Sequence, residues 1–265
     1  MRADHRAVLL RHFAFSPGLF SVSFHAPQLA SAIGPGQFVM LEVPGLIRPY
    51  LRRPYSVADA DAEKGEVEFL VKTIGRGTEV LERLSHGSPV NLLGPMGNRF
   101  SSEGLKRGQR AAVVAGGIGA APFPLLFRAL AHAGVAGDLY LGGRTERELS
   151  LRSRFEGIVP GQTILATDDG SLGERGCVTQ IFERRAAAGG PYAAVYACGP
   201  MPMLAALARV VSRLNLPAEF STEAEMGCGF GVCLGCVIPG TEKAFLISCQ
   251  EGPILPPEKI AWEKV

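Results

Sequence analysis

The sequence carries no strong charge of either sign, no apolar run of membrane length, and no repeated or low-complexity segment. Twenty-seven basic against 25 acidic residues leave a formal +2, too weak a field to hold nucleic acid or an anionic membrane surface, so neither is expected as a partner. The apolar stretch Ala111–Phe127 runs for 17 residues but is broken by Gly116, Gly117, Gly119, Pro122 and Pro124, which does not suit a membrane-spanning helix of about 20 residues. Residues 1–25 carry Arg2, Arg6 and Arg11 without the apolar core and small-residue cleavage site of a secretory signal. A cytoplasmic, reducing setting is therefore the expectation. Charged residues make up only 20% of the chain and hydrophobic residues 47%, which excludes the disordered class and supports a sizeable core. The 265 residues exceed one ordinary domain of roughly 100 to 200 and favour two domains with a small appendage.

Two residue types are present in excess or in clusters. Glycine occurs 33 times, well above the ~7% of average proteins; with no G-X-Y period, this implies many sharp turns or close backbone approaches. Four of the six cysteines, Cys228, Cys233, Cys236 and Cys249, lie within 22 residues, while Cys177 and Cys198 stand alone. In a reducing compartment clustered thiols point to metal or redox chemistry rather than to disulfides.

The pattern divides the chain into three. From residue 6 to about 100, short β segments (Gln37–Val43, Gly65–Lys72, Pro89–Leu93) separated by turns predict an antiparallel barrel, with one helix from Gly77 to Leu84. After Gly108 the apolar strand Ala111–Ala115 and the helix Leu125–Ala133 open a βα series. It continues through Asp138–Leu141, a helix over Glu146–Phe155, Gln162–Ala166, Tyr192–Ala197 and a helix over Met201–Leu214. That alternation predicts a doubly wound parallel sheet. The tail from Pro217 is too short for a core of its own and calls for a metal staple. The expected domains are 1–103, 104–216 and 217–265.

The cysteine spacing C-x4-C-x2-C-x12-C is the plant-type arrangement for a 2Fe-2S cluster. Gly227, Gly229, Gly231 and Gly235 let the loop turn its N–H groups toward sulfur. A zinc ribbon, with C-x2-C pairs on both sides, is the weaker reading. Gly116-Gly-Ile-Gly119 after the first strand of the second domain reads as a phosphate-cradling turn, although a tight turn without ligand gives the same residues. Arg53-Pro-Tyr-Ser56 offers a guanidinium, an aromatic ring and a hydroxyl, and Gly77 and Thr78 open the barrel's one helix, where N–H groups are free for a phosphate. Cys198 closes a strand at its C-terminal end, where open α/β sheets place ligands; a small buried thiol is the alternative, and for Cys177 packing is the expectation.

With these segments assembled, the chain resembles the ferredoxin-NADP reductase superfamily, and within it the electron-transfer subunits of NAD-dependent dihydroorotate dehydrogenases. Arg53-Pro-Tyr-Ser56 is similar to the flavin signature, Gly75-Arg-Gly-Thr78 to the pyrophosphate loop, Leu93-Gly-Pro-Met-Gly-Asn98 to the barrel-closing turn and Gly116-Gly-Ile-Gly119 to the nicotinamide-nucleotide loop. Ala166–Ser171 and Cys198–Met203 match as well, and the four-cysteine tail is similar to the cluster domain of these subunits. The resemblance implies FAD held by Arg53, Pro54, Tyr55, Ser56, Leu70, Val71, Lys72, Gly77 and Thr78, and NAD against Gly116, Gly117 and Gly119 with Cys198 near the nicotinamide. It also implies a 2Fe-2S cluster on Cys228, Cys233, Cys236 and Cys249. It further implies a heterotetramer with an FMN-containing dihydroorotate dehydrogenase catalytic subunit, electrons passing from that FMN through cluster and FAD to NAD+ in pyrimidine (UMP) biosynthesis. The chain has no room for the barrel that oxidises dihydroorotate. The alternative is a diaphorase subunit of a hydrogenase or sulfur reductase, or another flavin iron-sulfur reductase. NADP is not excluded: Arg144, after Gly142-Gly143 at the end of the sheet's second strand, can meet a 2′-phosphate, with a solvated arginine as the equal alternative.

Overall fold

A computed structural model describes residues 2–45, 51–189 and 192–265. The first seven strands, β1 (Ala3–Ser16), β2 (Leu19–His25), β3 (Phe38–Glu42), β4 (Arg53–Ser56), β5 (Asp59–Asp61), β6 (Glu66–Lys72) and β7 (Pro89–Met96), form one antiparallel sheet in the order β4-β3-β7-β1-β2-β6-β5. The sheet curls toward closure, because the Tyr55 ring on β4 meets Phe69 on β6 edge to face at 6.3 Å. Helices α1 (Pro27–Ala32) and α2 (Arg76–Glu82) plug the curl, and Leu29 and Leu81 join Phe24, Val39, Phe69 and Leu92 in its core.

Six strands of the second sheet are parallel: β8 (Arg110–Gly116), β9 (Ala136–Gly143), β10 (Thr163–Thr167), β11 (Glu174–Arg175), β12 (Ala194–Cys198) and β13 (Ala218–Ser221), ordered β11-β10-β9-β8-β12-β13. Alternate residues of β8 explain the two layers. Ala111, Val113 and Ala115 face α3 (Phe123–His132), while Ala112 and Val114 face α4 (Val178–Ala188) and α5 (Met201–Arg213). The order reverses at β8, so the loops leaving β8 and β12 stand side by side at a switch point. The helix expected over Glu146–Phe155 is instead a run of 3-10 turns. Its buried residues, Leu149, Leu151 and Phe155, are not spaced for one face of an α-helix. The sequence pattern did not find α4, nor β1 and β2.

The tail is a small hairpin of β14 (Val237–Pro239) and β15 (Phe245–Ile247), a turn of helix α6 (Ser248–Glu251), and β16 (Ile254–Leu255), which adds antiparallel to β13 at the edge of the second sheet. The tail is therefore not free-standing. Ala218–Ser221, expected within it, is the sheet's next strand beyond β12.

Two sets of polar contacts fix the parts together. Arg154, from the 3-10 run, bonds to Asp59 at 2.6 Å and Glu68 at 2.7 Å on the curled sheet, and Arg128 of α3 reaches Asp59 at 2.8 Å. Asp59, Arg154 and Glu68 are mostly buried side chains, so each charge needs its partner. Asn98 clamps the tail. Its backbone N–H donates to Gly252 O at 2.8 Å, its Nδ2 to Ile254 O at 2.6 Å, and its Oδ1 accepts from Ile254 N at 2.9 Å. The turn expected to close the barrel thus also holds the cysteine-bearing segment. Replacing Asn98→Ala removes the side-chain bonds and strands two backbone groups, which is expected to lower stability by about 2–3 kcal/mol; urea unfolding checks this, and an unchanged midpoint would refute the clamp.

Candidate cofactor and electron-transfer sites

The four cysteines approach one another as two pairs. Cys236 and Cys249 are buried at 1% and 4% exposure, whereas Cys228 is half-buried and Cys233 exposed. Backbone N–H groups of Phe230 and Cys233 lie 3.4 and 3.5 Å from Cys228 Sγ, and that of Cys249 lies 3.4 Å from Cys236 Sγ. The expectation that glycines turn N–H groups toward sulfur is met at Gly229 and Gly231, whose φ angles are +79° and +86°. Gly227 and Gly235 do not adopt positive φ; Leu234, at +55°, does.

The electrostatics suit thiolates bound to a cation. Burial pushes the Cys228 thiol up, but the N–H groups of Cys233 and Phe230 outweigh it and draw the group down to about 6. Burial, the hydrogen bond with Cys236 and the charges of Cys236 and Cys228 push Cys249 up to about 12. These sulfurs therefore repel one another once ionised, and iron would neutralise that charge. Among the described residues no three His, Cys, Asp or Glu side chains gather tightly enough to hold a single metal ion.

The cysteine loop rests directly on the curled sheet. A Cβ at Gly229 would overlap the side chain of Met40, which is fully buried and shares a cluster with Phe38, Met96, Cys236 and Cys249. Across the ladder Met40 pairs with Pro54, and Val39 with Tyr55. The candidate flavin segment Arg53–Ser56 is therefore one strand away from the cysteine loop. Within it Arg53 Nη1 donates to Leu51 O at 2.8 Å, and burial pushes the Tyr55 hydroxyl up to about 12 against the opposing charge of Arg53. Leu70 and Val71 are buried on β6 and lead to Lys72. Thr78 Oγ1 accepts from the N–H groups of Ile74 at 2.9 Å and Gly75 at 3.1 Å and donates to Gly75 O at 2.8 Å. Its hydroxyl shapes the loop ahead of Gly77.

The three glycines after β8 divide the labour. A Cβ on Gly119 would fall 2.6 Å from Cys198 O, and one on Gly116 would fall 2.7 Å from Met203 Sδ. These two let the loops leaving β8 and β12 approach each other. Only Gly117, at φ +53° with nothing within 4 Å of its Cβ position, opens into a cavity of about 490 Å³, which it lines with Lys72, Thr73, Ile118, Arg144 and Glu148. That cavity bridges the curled sheet and the α/β unit. Arg144 is already engaged, because its backbone N, Nε and Nη2 donate to the Glu148 carboxylate at 2.9, 3.1 and 2.7 Å. Cys198 is buried beside these loops, and desolvation, then the charge of Glu223, pushes its thiol up to about 12, so it stays protonated at neutral pH. Cys177, expected to be packed, is exposed at the start of α4, separated from the edge strand β11 by Gly176 alone.

A curled antiparallel sheet, a doubly wound sheet meeting it at a cleft and a cysteine-rich tail define a flavin- and nicotinamide-linked iron-sulfur oxidoreductase. Comparison with known proteins agrees part by part. Residues 8–100 match the oxidoreductase FAD-binding domain, 113–209 the oxidoreductase NAD-binding domain, and 223–261 the iron-sulfur cluster binding domain of dihydroorotate dehydrogenase B. Two relatives named dihydroorotate dehydrogenase B (NAD(+)), electron transfer subunit, are similar along most of their length. That of Desulforamulus reducens is 34% identical over 97% of this chain and 98% of its own, and that of Bacillus caldolyticus 40% identical over 83% and 84%. Among solved structures, one of an NADH-dependent reduced ferredoxin-NADP oxidoreductase superposes with a TM-score of 0.85 at 25% identity, covering 97% of this chain and 90% of that one. A ferredoxin reductase of carbazole 1,9a-dioxygenase gives 0.71 at 25% identity, over 83% and 69%. The chain belongs to the family of electron transfer subunits of NAD-linked dihydroorotate dehydrogenase B.

Glu148 supplies a pH test of the cleft. The Arg144 side chain, against some desolvation and with help from the Arg144 N–H and the charge of Lys72, holds its carboxyl down from 4.5 to about 2. A depressed folded value stabilises the protein above the unfolded value and is lost as pH falls through the folded one. Glu148→Gln is therefore expected to be less stable than the parent at about pH 6, with the gap narrowing as pH falls from 4.5 to about 2; a gap in unfolding midpoint independent of pH would contradict this.

Proposed function

We propose that this chain carries electrons from the FMN of a dihydroorotate dehydrogenase catalytic subunit to NAD+, through a 2Fe-2S cluster on Cys228, Cys233, Cys236 and Cys249 and an FAD on the curled sheet, in pyrimidine biosynthesis. The observation that carries the reading is the continuous packing from Gly229 through Met40 to the Arg53–Ser56 strand, with Lys72 and Gly117 sharing the cleft beyond. When bound, the flavin exchanges hydride with nicotinamide and single electrons with an iron-sulfur centre.

In this reading the work of the chain is to position and to exclude water. Arg53 and Ser56 bind flavin and its phosphates, Tyr55 lies along the ring system, and Leu70, Val71, Lys72, Gly77 and Thr78 complete the site. Gly117 gives the nicotinamide nucleotide access to the cleft, while Gly116 and Gly119 bring Cys198 alongside as a neutral, packed thiol. Glu148 occupies Arg144, which favours NAD over a 2′-phosphorylated nucleotide. Chain division at 103/104 and after β13, rather than at 216/217, gives each cofactor its own unit, because Ala218–Ser221 completes the parallel sheet. Exposed Leu51, Val232, Leu234, Val237 and Phe245 lie on or beside the cysteine loop and suit an apolar docking face for the catalytic subunit in a heterotetramer. The absence, among the described residues, of a helix long and apolar enough to cross a membrane agrees with a cytoplasmic site of action.

The experiment is reconstitution. Purified protein with FAD and iron verified is mixed with an FMN-containing dihydroorotate dehydrogenase barrel, and NAD+-coupled oxidation of dihydroorotate is followed. The parent is expected to confer it; Cys233→Ser is expected to lose it while retaining NADH reduction of the flavin. A cofactor-loaded parent that reduces its flavin with NADH but confers nothing on the barrel would move the assignment to the diaphorase reading.

A further inference from the structure

Among the described residues, one buried side-chain polar atom has no hydrogen-bond partner: the Oγ of Ser248. Ser248 is 0% exposed. Its N–H is spent on Cys236 O at 2.8 Å, and it immediately precedes Cys249, so it is held between the two buried cysteines. Those two cysteines pack with Phe38, Met40, Met96 and Ile247. Burying a hydroxyl there without an acceptor destabilises a protein, and native structures avoid it almost everywhere. An orphan of this kind marks a missing acceptor.

We infer that Ser248 Oγ–H, which reaches no cysteine sulfur of the chain, donates a hydrogen bond to a sulfide of the bound 2Fe-2S cluster and raises the cluster's reduction potential. The inference rests on the reading that the four cysteines hold that cluster. Reduction adds one negative charge to the cluster, and hydrogen bonds to its sulfurs favour the more negative state. Backbone N–H groups already serve Cys228 and Cys236, and Ser248 adds a side-chain donor that a single substitution can remove. It belongs to the segment of the buried Cys249, not to that of the exposed Cys233. Ser248 is thus a tuning residue and takes no proton from any reactant.

The test uses the full-length protein loaded with FAD and cluster, two irons and two sulfides per chain being verified chemically. The midpoint potential is read by redox titration followed by electron paramagnetic resonance. Ser248→Ala is expected to lower the midpoint so that, at the parent's midpoint, the ratio of reduced to oxidised cluster falls roughly tenfold, equivalent to about 59 mV for a one-electron couple. Ser248→Thr, which keeps a hydroxyl, is expected to restore most of the shift. Should the Ala variant not retain its cluster, Ser248→Val, which fills the vacated space, carries the same expectation. A fully loaded Ala or Val variant with an unmoved midpoint overturns the inference. Parent protein lacking two irons and two sulfides would instead overturn the cluster reading beneath it.

Discussion

The contact on which the arrangement depends is the seating of Gly229 on Met40. A cluster-binding loop needs flexible backbone to wrap sulfur, yet electron exchange with a flavin needs that loop held still and close. Gly229 meets both demands, since its positive φ turns the loop and its missing Cβ admits the Met40 side chain. Methionine is suited to the receiving position because an unbranched, polarisable side chain fills an irregular gap. Everything on either side is built outward from that point: the two buried cysteines behind the loop, and the Arg53–Ser56 strand across the ladder from β3.

Asn98 gives the same junction its polar anchor. The tail has too few buried apolar residues to fold by itself, and β16 offers only two residues of pairing to the edge of the second sheet. By bonding to both the N–H and the C=O of Ile254, Asn98 acts as an extra rung of strand supplied by a side chain. The cysteine segment is consequently tied to the curled sheet by Asn98 and Met40 and to the parallel sheet by β16. This bridging explains how so short a segment keeps Cys249 in place 13 positions beyond Cys236.

How much of this is legible in the sequence depends on whether the cause is local. The cysteine spacing, the paired glycines and the apolar run of β8 announce themselves because chemistry or sheet burial acts on neighbouring residues. The strand β2 does not, since Ser21 and Ser23 are buried among its apolar residues and blur the alternation, while β1 buries only Ala7 and Leu9. The helix expected over Glu146–Phe155 fails because its apolar residues answer to a tertiary surface and not to a helical face. The role of Asn98 is invisible for a different reason: its partners lie about 155 positions away. Gly116, Gly117 and Gly119 look alike on paper, and only the loop leaving β12 distinguishes the two that pack from the one that faces the cleft.

The polar contacts between the curled sheet and the α/β unit are unequal. On one side Arg154 is fixed by two carboxylates, with Arg128 behind it, all largely out of solvent except Arg128. On the other, Lys72 and Glu148 meet across the cleft at 3.6 Å, with Lys72 well exposed to solvent. One edge is held out of water and the other lies open to it. Added salt therefore screens the Lys72–Glu148 contact well before it reaches the buried Arg154 contacts, so the two edges of one junction answer differently to ionic strength.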